Sequence, residues 1–429
     1  MQVKSNNNHF NFLKSGYLRN IFTLTSGTAF AQLIPILVSP VLSRLYTPEE
    51  FGNLALFLSL LGLFGSIATG RFAFAIVIPK KRKDILSLIS LSFVFVSALS
   101  LLLLLVIILF NESISGVLNN EKIGPWLYLI PFSVFISGML QIFQYYRNKE
   151  NEFKTIVRST GANGFYVGLG FAKTGTFGLI ASSIIGQILE ASWLINRSIF
   201  PLYKEIKKEI QIIDLKNTAK EYYNFIRYSA PSSLLNVLSI QIPILILTRF
   251  FEKASVGFYF QAHKVLSMSV TVVGNSIAQA YLNYISQNKN NLDKVKKITR
   301  QTISKMLLLS IIPAILLMLF GEEIFSFILG SKWAIAGNYA QYLTPWLVLV
   351  FIGSPLSMIL EIYNRQKLFM RFNFCLLAFR LTALLTGYYI FNDSKTAIIL
   401  YSSVSASFWL FLNLYILHFI FKKNNKNTI

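Results

Sequence analysis

The sequence predicts an all-α integral membrane protein with about twelve transmembrane helices in two six-helix lobes. Three observations point there. The 429 residues are 54% hydrophobic and only 14% charged, with a mean hydropathy of +0.55, too little charge to cover a soluble domain of this size. Apolar stretches of helix length recur along the chain, and a bilayer core of about 30 Å takes about 20 apolar residues per helix. Lys and Arg concentrate in alternate intervening segments, as cytosolic retention of basic loops requires.

The candidate spans in order are 21–45, 54–78, 85–110, 124–146, 154–172, 176–196, 231–251, 255–283, 302–320, 337–361, 367–391 and 396–421. Lys4, Lys14 and Arg19 assign the N-terminus to the cytosol. The basic segments on that side are then Lys80, Lys81, Arg82 and Lys83, followed by 147–154, 197–230, 284–301, 362–367 and the tail with Lys422, Lys423 and Lys426. With the N-terminus those segments hold 27 Lys/Arg, against five in the opposite loops: Lys122, Lys173, Lys253, Lys332 and Lys395. Both termini are expected in the cytosol. The net charge of +22 is thereby assigned to topology, not to a nucleic-acid surface. The polar, Asn-rich opening lacks a small-residue cleavage site, so no removable signal peptide is expected. The single cysteine, Cys375, excludes an intrachain disulfide and reads as a small apolar filler.

The longest hydrophilic stretch separates spans six and seven. The expected division is a lobe over 1–200, a basic cytosolic linker over 201–230 and a lobe over 231–429. Segment 214–227 is expected as a helix on an anionic leaflet, with Leu215, Tyr222, Phe225 and Ile226 turned inward. A short repeat supports two lobes. Ser43-Arg44 precedes Leu45-Tyr46 and Gly52, and Thr248-Arg249 precedes Phe250-Phe251 and Gly257. Each copy follows the first span of its lobe. Six spans per lobe give both the same orientation, so the pseudo-two-fold axis is parallel to the membrane normal.

Polar stripes at helical spacing mark a wet cavity or a packed interface rather than a lipid-facing surface. Span eight carries Gln261, Lys264, Ser267, Thr271, Asn275 and Gln279; span four carries Ser133, Ser137, Gln141, Gln144 and Asn148; span one carries Thr25, Thr28, Gln32 and Ser39. The stripe with a lysine in it reads as cavity. Hydrogen-bonded packing between helices accounts for isolated Ser and Thr. Pro35, Pro40, Pro131, Pro243, Pro313, Pro345 and Pro355 lie well inside spans and are expected to bend them.

Cations within spans carry the functional reading. Arg44 and Arg249 at the outer ends, and Arg158, Lys305 and Arg371 at the inner ends, lie near enough to the interface to snorkel. Arg71, Lys264 and Arg380 are deeper, and each costs about 2.5–3.5 kcal/mol on insertion scales. Glu190 and Glu361 are the acids within spans, and Glu190 can pair with only one deep cation. Excess positive charge in an inner cavity selects an anionic substrate such as phosphate or pyrophosphate. Thr47-Pro48-Glu49-Glu50 has the form of a helix capping box rather than a catalytic acid. His9, His263 and His418 are scattered, and no Walker loop, metal spacing or catalytic constellation appears. No cofactor, no metal and no enzymatic activity are expected.

The run Leu42–Gly52, followed by Gly70-Arg71-Phe72-Ala73-Phe74-Ala75-Ile76-Val77-Ile78-Pro79-Lys80, resembles the polysaccharide transport (Wzx-type) flippases. Their superfamily includes multidrug and toxin extrusion transporters and lipid II flippases, so the resemblance implies a MATE-like fold. It also implies an inner-membrane protein that moves an undecaprenyl-pyrophosphate-linked oligosaccharide, such as an O-antigen or capsule repeat unit, to the periplasmic leaflet, with H+ or Na+ as a possible coupling ion. Related flippases place cations on the second and eighth helices, here Arg71 and Lys264. The family often has an acid two residues after the matched Arg, where this chain has Ala73. The expected site is Arg71, Lys264 and Arg380 on the pyrophosphate, with Gln32, Gln141, Gln144, Gln261 and Asn275 on sugars. Glu190 is expected as a gate with Arg158 or Arg71. The rival readings are a multidrug exporter of the same fold and a membrane glycan polymerase, ligase or glycosyltransferase. The first would want buried acids, the second a larger outer loop.

Overall fold

A computed structural model of the chain describes residues 37–150, 152, 155–156, 158–159, 175–195, 199–288, 291–363 and 365–422. Every regular element among them is helical. In the N-terminal half these are α1 (Ser39–Leu45), α2 (Pro48–Gly65), α3 (Phe72–Ala75), α4 (Arg82–Val117), α5 (Gly124–Leu127), α6 (Leu129–Lys149) and α7 (Thr176–Ile195). Two connecting helices follow, α8 (Ile199–Glu209) and α9 (Ile212–Glu221). The C-terminal half has α10 (Ala230–Phe250), α11 (Lys253–Ser269), α12 (Asn275–Asn288), α13 (Leu292–Leu329), α14 (Ala334–Ile362), α15 (Gln366–Tyr389) and α16 (Ser394–Lys422). Among the described residues, eight helical stretches are long and apolar enough to cross a membrane. The first expected span is described only from residue 37, and most of the fifth lies outside the described residues.

Helix α2 starts as its sequence dictates. Thr47 is the N-cap and Pro48 sits at the first helical position. The Thr47 amide donates to the Glu50 carboxylate at 2.7 Å, and the Glu50 amide donates to Thr47 Oγ1 at 3.3 Å. This reciprocal pair satisfies two donors that a helix start otherwise leaves open. The span expected to run unbroken over 54–78 instead stops at Gly65. Gly70 and Arg71 follow with φ of 57° and 64°, a left-handed conformation that a helix cannot continue through. Interrupted backbone is tolerated at membrane depth only where protein satisfies it. Here Gln141 of α6 donates to the Gly65 carbonyl at 2.8 Å, and short turn bonds link Gly70 to Ile67 and Phe72 to Thr69.

A second interruption divides the expected span eight, where the π-helical turn Val270–Gly274 separates α11 from α12. Such turns insert a residue and concentrate at functional sites. The halves also share a feature that hydropathy does not reveal. Helices α4 and α13 each bend at a phenylalanine with non-helical backbone, Phe110 and Phe320. Each then continues outward into a one-turn 3-10 segment, Glu121–Ile123 and Ser331–Trp333. The stretches expected as outer loops, 111–123 and 321–336, are therefore mainly helical.

The basic segments gather at one end of the bundle, here called the basic end. The linker is two helices: α8 precedes the expected one, and α9 stops at Glu221 instead of reaching 227 because the chain leaves helical geometry at Tyr222. The inward residues do pack as expected: Tyr222 is buried, while Leu215, Phe225 and Ile226 are partly buried against the core. Arg82 at the start of α4 pairs with Glu150 at 3.0 Å and with Glu205 of α8 at 2.8 Å. Lys83 pairs with Asp214 of α9 at 2.8 Å. The Lys83 ammonium and the Gln211 backbone amide hold the Asp214 carboxyl below the ordinary carboxylate range. Arg147, expected in a basic loop, instead lies buried in the last turn of α6. It donates twice to the Leu194 carbonyl, at 3.2 and 3.1 Å, and pairs with Glu152.

Burial follows the bilayer logic. The apolar faces of α4 and α13 point outward, with Leu101, Leu105, Ile108, Leu308, Ile312 and Leu319 exposed. Cys375 is also exposed, so it does not fill an interior gap as expected. The main core runs without interruption from one half into the other. A separate cluster serves only the C-terminal half and includes Ile285, Val295, Leu356, Ile359 and Ile416.

Candidate functional site

The two halves meet in a tight seam at the end opposite the basic one. The repeat glycines read from the sequence touch there. A Cβ at Gly52 would lie 2.5 Å from the Lys253 carbonyl oxygen, and one at Gly257 would overlap the Pro48 carbonyl. Only glycine lets α2 and α11 approach this closely. The repeat arginines are exposed at the ends of their helices, and both reach across the seam. Arg249 donates to the Gly116 carbonyl at 3.3 Å in the last turn of α4. Arg44 donates to the Phe327 carbonyl at 3.5 Å in the last turn of α13. Cations suit helix C-termini because the last carbonyls are unpaired and the dipole is negative there. Lys332 does the same for α1, donating to the carbonyls of Arg44 at 3.2 Å and Tyr46 at 2.6 Å. Trp333 completes the seam, donating from Nε1 to the Ser43 carbonyl at 2.8 Å and packing edge-on against Phe51 at 5.2 Å.

Below this seam the deep cations differ sharply. Lys264 lies eleven residues into α11, about 16 Å from its outer end at 1.5 Å per residue. Its side chain is part-exposed, and its ammonium makes no hydrogen bond or ion pair among the described residues. Arg71 sits at the break after α2, held over the Phe74 ring at 4.9 Å with Nε on the Ser229 hydroxyl at 3.4 Å. It thus ties the break after α2 to the end of the linker near the basic end. Arg380 is buried within the C-terminal half. It donates to Ser405 Oγ at 2.9 Å, to Ser239 Oγ at 2.9 Å and to the Ser239 carbonyl at 3.1 Å. Its guanidinium also lies over Trp346 and Tyr401, at 4.9 and 5.1 Å.

The hydrogen-bonding candidates are distributed by packing. Gln261 is buried and donates to Ser39 Oγ at 2.5 Å and Ser43 Oγ at 3.0 Å, so it belongs to the seam. Gln141 caps the break at Gly65. Gln144 donates to Glu190 at 3.3 Å. With Ser133 buried and Ser137 against Gly65, the span-four stripe joins α6 to α2 and α7. No ion pair joins Glu190 to Arg71 or Arg158 among the described residues, and Arg158 is exposed. Gln32 lies outside the described residues, and Asn275 is described only as the first residue of α12. Lys332 and Trp333 were missed by the sequence reading. Their outer position was legible, but their partners lie about 290 residues away.

Residues 41–337 match the model of a family described as polysaccharide biosynthesis protein. The chain belongs to that family. A probable low-salt glycan biosynthesis flippase from Haloferax volcanii is 24% identical over 161 residues, a stretch covering 37% of this chain and 32% of that protein. Among solved structures, a lipid II flippase, MurJ, in an inward closed conformation superposes with a TM-score of 0.71 at 14% identity, covering 94% of this chain and 88% of that one. An inward-facing multidrug resistance MATE family transporter of the MOP superfamily gives 0.70 at 13% identity, covering 95% and 96%. These likenesses establish a MATE-like fold. The family match includes the seam residues Arg44, Gly52, Arg249, Gly257 and Lys332 together with Arg71 and Lys264, and stops short of Arg380.

Proposed function

We propose that this polysaccharide biosynthesis family member is a flippase for an undecaprenyl-pyrophosphate-linked oligosaccharide. It carries the glycan from the cytoplasmic to the periplasmic leaflet of a bacterial inner membrane by alternating access. The observation that carries this reading is Lys264: a half-buried mid-span lysine with no counter-charge among the described residues. A cation in a bilayer is retained where it faces water or an anionic ligand, and an ammonium is a compact point charge for pyrophosphate oxygens. Arg71 supplies a second cation nearer the basic end, where it meets the headgroup first. Lobes over 1–200 and 231–429 rock about the linker 201–230, with the basic end and both termini in the cytosol. The closed outer seam and the separate C-terminal core near the basic end fit a state that opens inward. An H+ or Na+ gradient is the expected drive. A drug exporter of the same fold is disfavoured because the uncompensated mid-span charge is positive.

The test uses purified protein in liposomes carrying an undecaprenyl-pyrophosphate oligosaccharide in one leaflet, with an impermeant glycosidase reporting sugar in the other. Protein-dependent exposure is expected, abolished by Lys264→Gln and partly kept by Lys264→Arg. Full exposure by Lys264→Gln would remove Lys264 from the site. Cation-drug export by the wild type without glycan exposure would establish the rival function.

A further inference from the structure

We propose that the C-terminal half holds a buried site for a small monovalent anion of chloride size, centred on Arg380 and separate from Lys264. Five helices enclose it: α10, α11, α14, α15 and α16. The Arg380 guanidinium is fixed through Nε and Nη1 by Ser405 and Ser239, while Nη2 makes no hydrogen bond among the described residues. No carboxylate pairs with it among the described residues. Three further donors on the rings beside it are also unused. Trp346 Nε1 and the Tyr259 and Tyr401 hydroxyls are buried without a hydrogen-bond partner. The two hydroxyls lie close to each other, and neither completes a well-formed hydrogen bond.

The rings form one interlocked set. Trp346 and Tyr401 meet edge to face at 5.3 Å, and Tyr259 and Tyr401 at 6.3 Å. His263 stacks between Tyr259 and Trp346 at 5.7 and 5.9 Å, which fixes both ring planes. Buried donors are almost always paired, and a buried cation calls for a counter-charge. A guanidinium, an indole N–H and two phenolic O–H groups together are a donor set, so the partner that satisfies them is an acceptor with negative charge. Donors buried this deeply among helices and aromatic rings are out of reach of a lipid pyrophosphate, which leaves a compact anion.

The experiment measures the unfolding midpoint of purified protein in uncharged nanodiscs, titrating chloride against gluconate at constant ionic strength. A saturable upward shift is expected with chloride and bromide and none with gluconate. Tyr259→Phe combined with Tyr401→Phe, and separately Trp346→Phe, should raise the half-saturating chloride concentration by about tenfold or more, as loss of hydrogen bonds to a charged group implies. Lys264→Gln should leave it unchanged. Arg380→Gln should abolish the response; if that variant does not fold, the ring variants decide alone. Equal shifts in gluconate and chloride, or unchanged half-saturation in both ring variants, would overturn the site. A chloride response lost with Lys264→Gln would place the anion at Lys264, and would equally overturn it.

Discussion

Lys264 and Arg380 show how little a buried cation's position says about its role until its partners are known. Both read from the sequence as deep charges on membrane helices. Arg380 has three hydrogen bonds and two ring faces, whereas the Lys264 ammonium has none of these among the described residues. Gly257 is as specific in its way, because its missing side chain is what lets the Pro48 carbonyl lie against α11. Gly257→Ala must push the two backbones apart, an overpacking cost of about 1–3 kcal/mol. Its effect falls only on the closed seam, so the expected outcome is a more open outer end. Thiol labelling of Ser43→Cys in a Cys375→Ser background, slow in the parent and faster with Gly257→Ala, checks it. Equal labelling in both would show that the seam does not depend on this contact.

Helix ends do much of the organising work between elements. The capping box at Thr47 and Glu50 was legible because its four residues are contiguous. The break after α2 was not, since a hydropathy window sees only apolar residues through 66–71, and the left-handed pair Gly70 and Arg71 depends on Gln141 arriving from α6. The linker gives a test at this level. The Asp214 carboxyl titrates below its ordinary value of 3.8 because Lys83 and the Gln211 amide favour the charged form. The Lys83–Asp214 clamp therefore stabilises the docked α9 above that ordinary value and is lost as pH falls through the depressed one. Hydrogen exchange, corrected for intrinsic rate, should show the α9 amides opening as the pH falls below about 4. Asp214→Asn should show the same opening at neutral pH, and protection that survives both changes would mean that Arg82 and Glu205 hold the linker alone.

Across the whole molecule, closure of the outer end joins two copies of the same device. In each half an arginine just before a bulky pair reaches the last turn of the other half's long bent helix, Arg44 to α13 and Arg249 to α4. These contacts, with Gln261 on Ser39 and Ser43, must all break if the outer end opens during transport. Ser39→Cys with Gln261→Cys, again in a Cys375→Ser background, places two thiols across the seam. A short reducible crosslinker joining them should stop glycan exposure in liposomes, and reduction should restore it. Undiminished exposure by fully crosslinked protein would rule out an opening of this seam as part of the cycle.

The order of apolar stretches, the basic ends, the two-lobe repeat with its glycines and the cation-bearing span eight are all written in contiguous residues. They follow from local period, local charge and the thickness of a bilayer, so the chain alone specified them. Which polar side chains remain available to a ligand was settled only when distant segments met. Gln261 is 222 residues from Ser39, and Arg380 is 141 from Ser239. Gln141 is 76 from the carbonyl it caps. A polar group in a membrane protein is satisfied by whatever donor or acceptor the tertiary packing brings to it, and no local pattern encodes that meeting. For that reason Gln141, Gln261 and Arg380 read as members of one site and became parts of three different interfaces, while Lys264 kept its charge open.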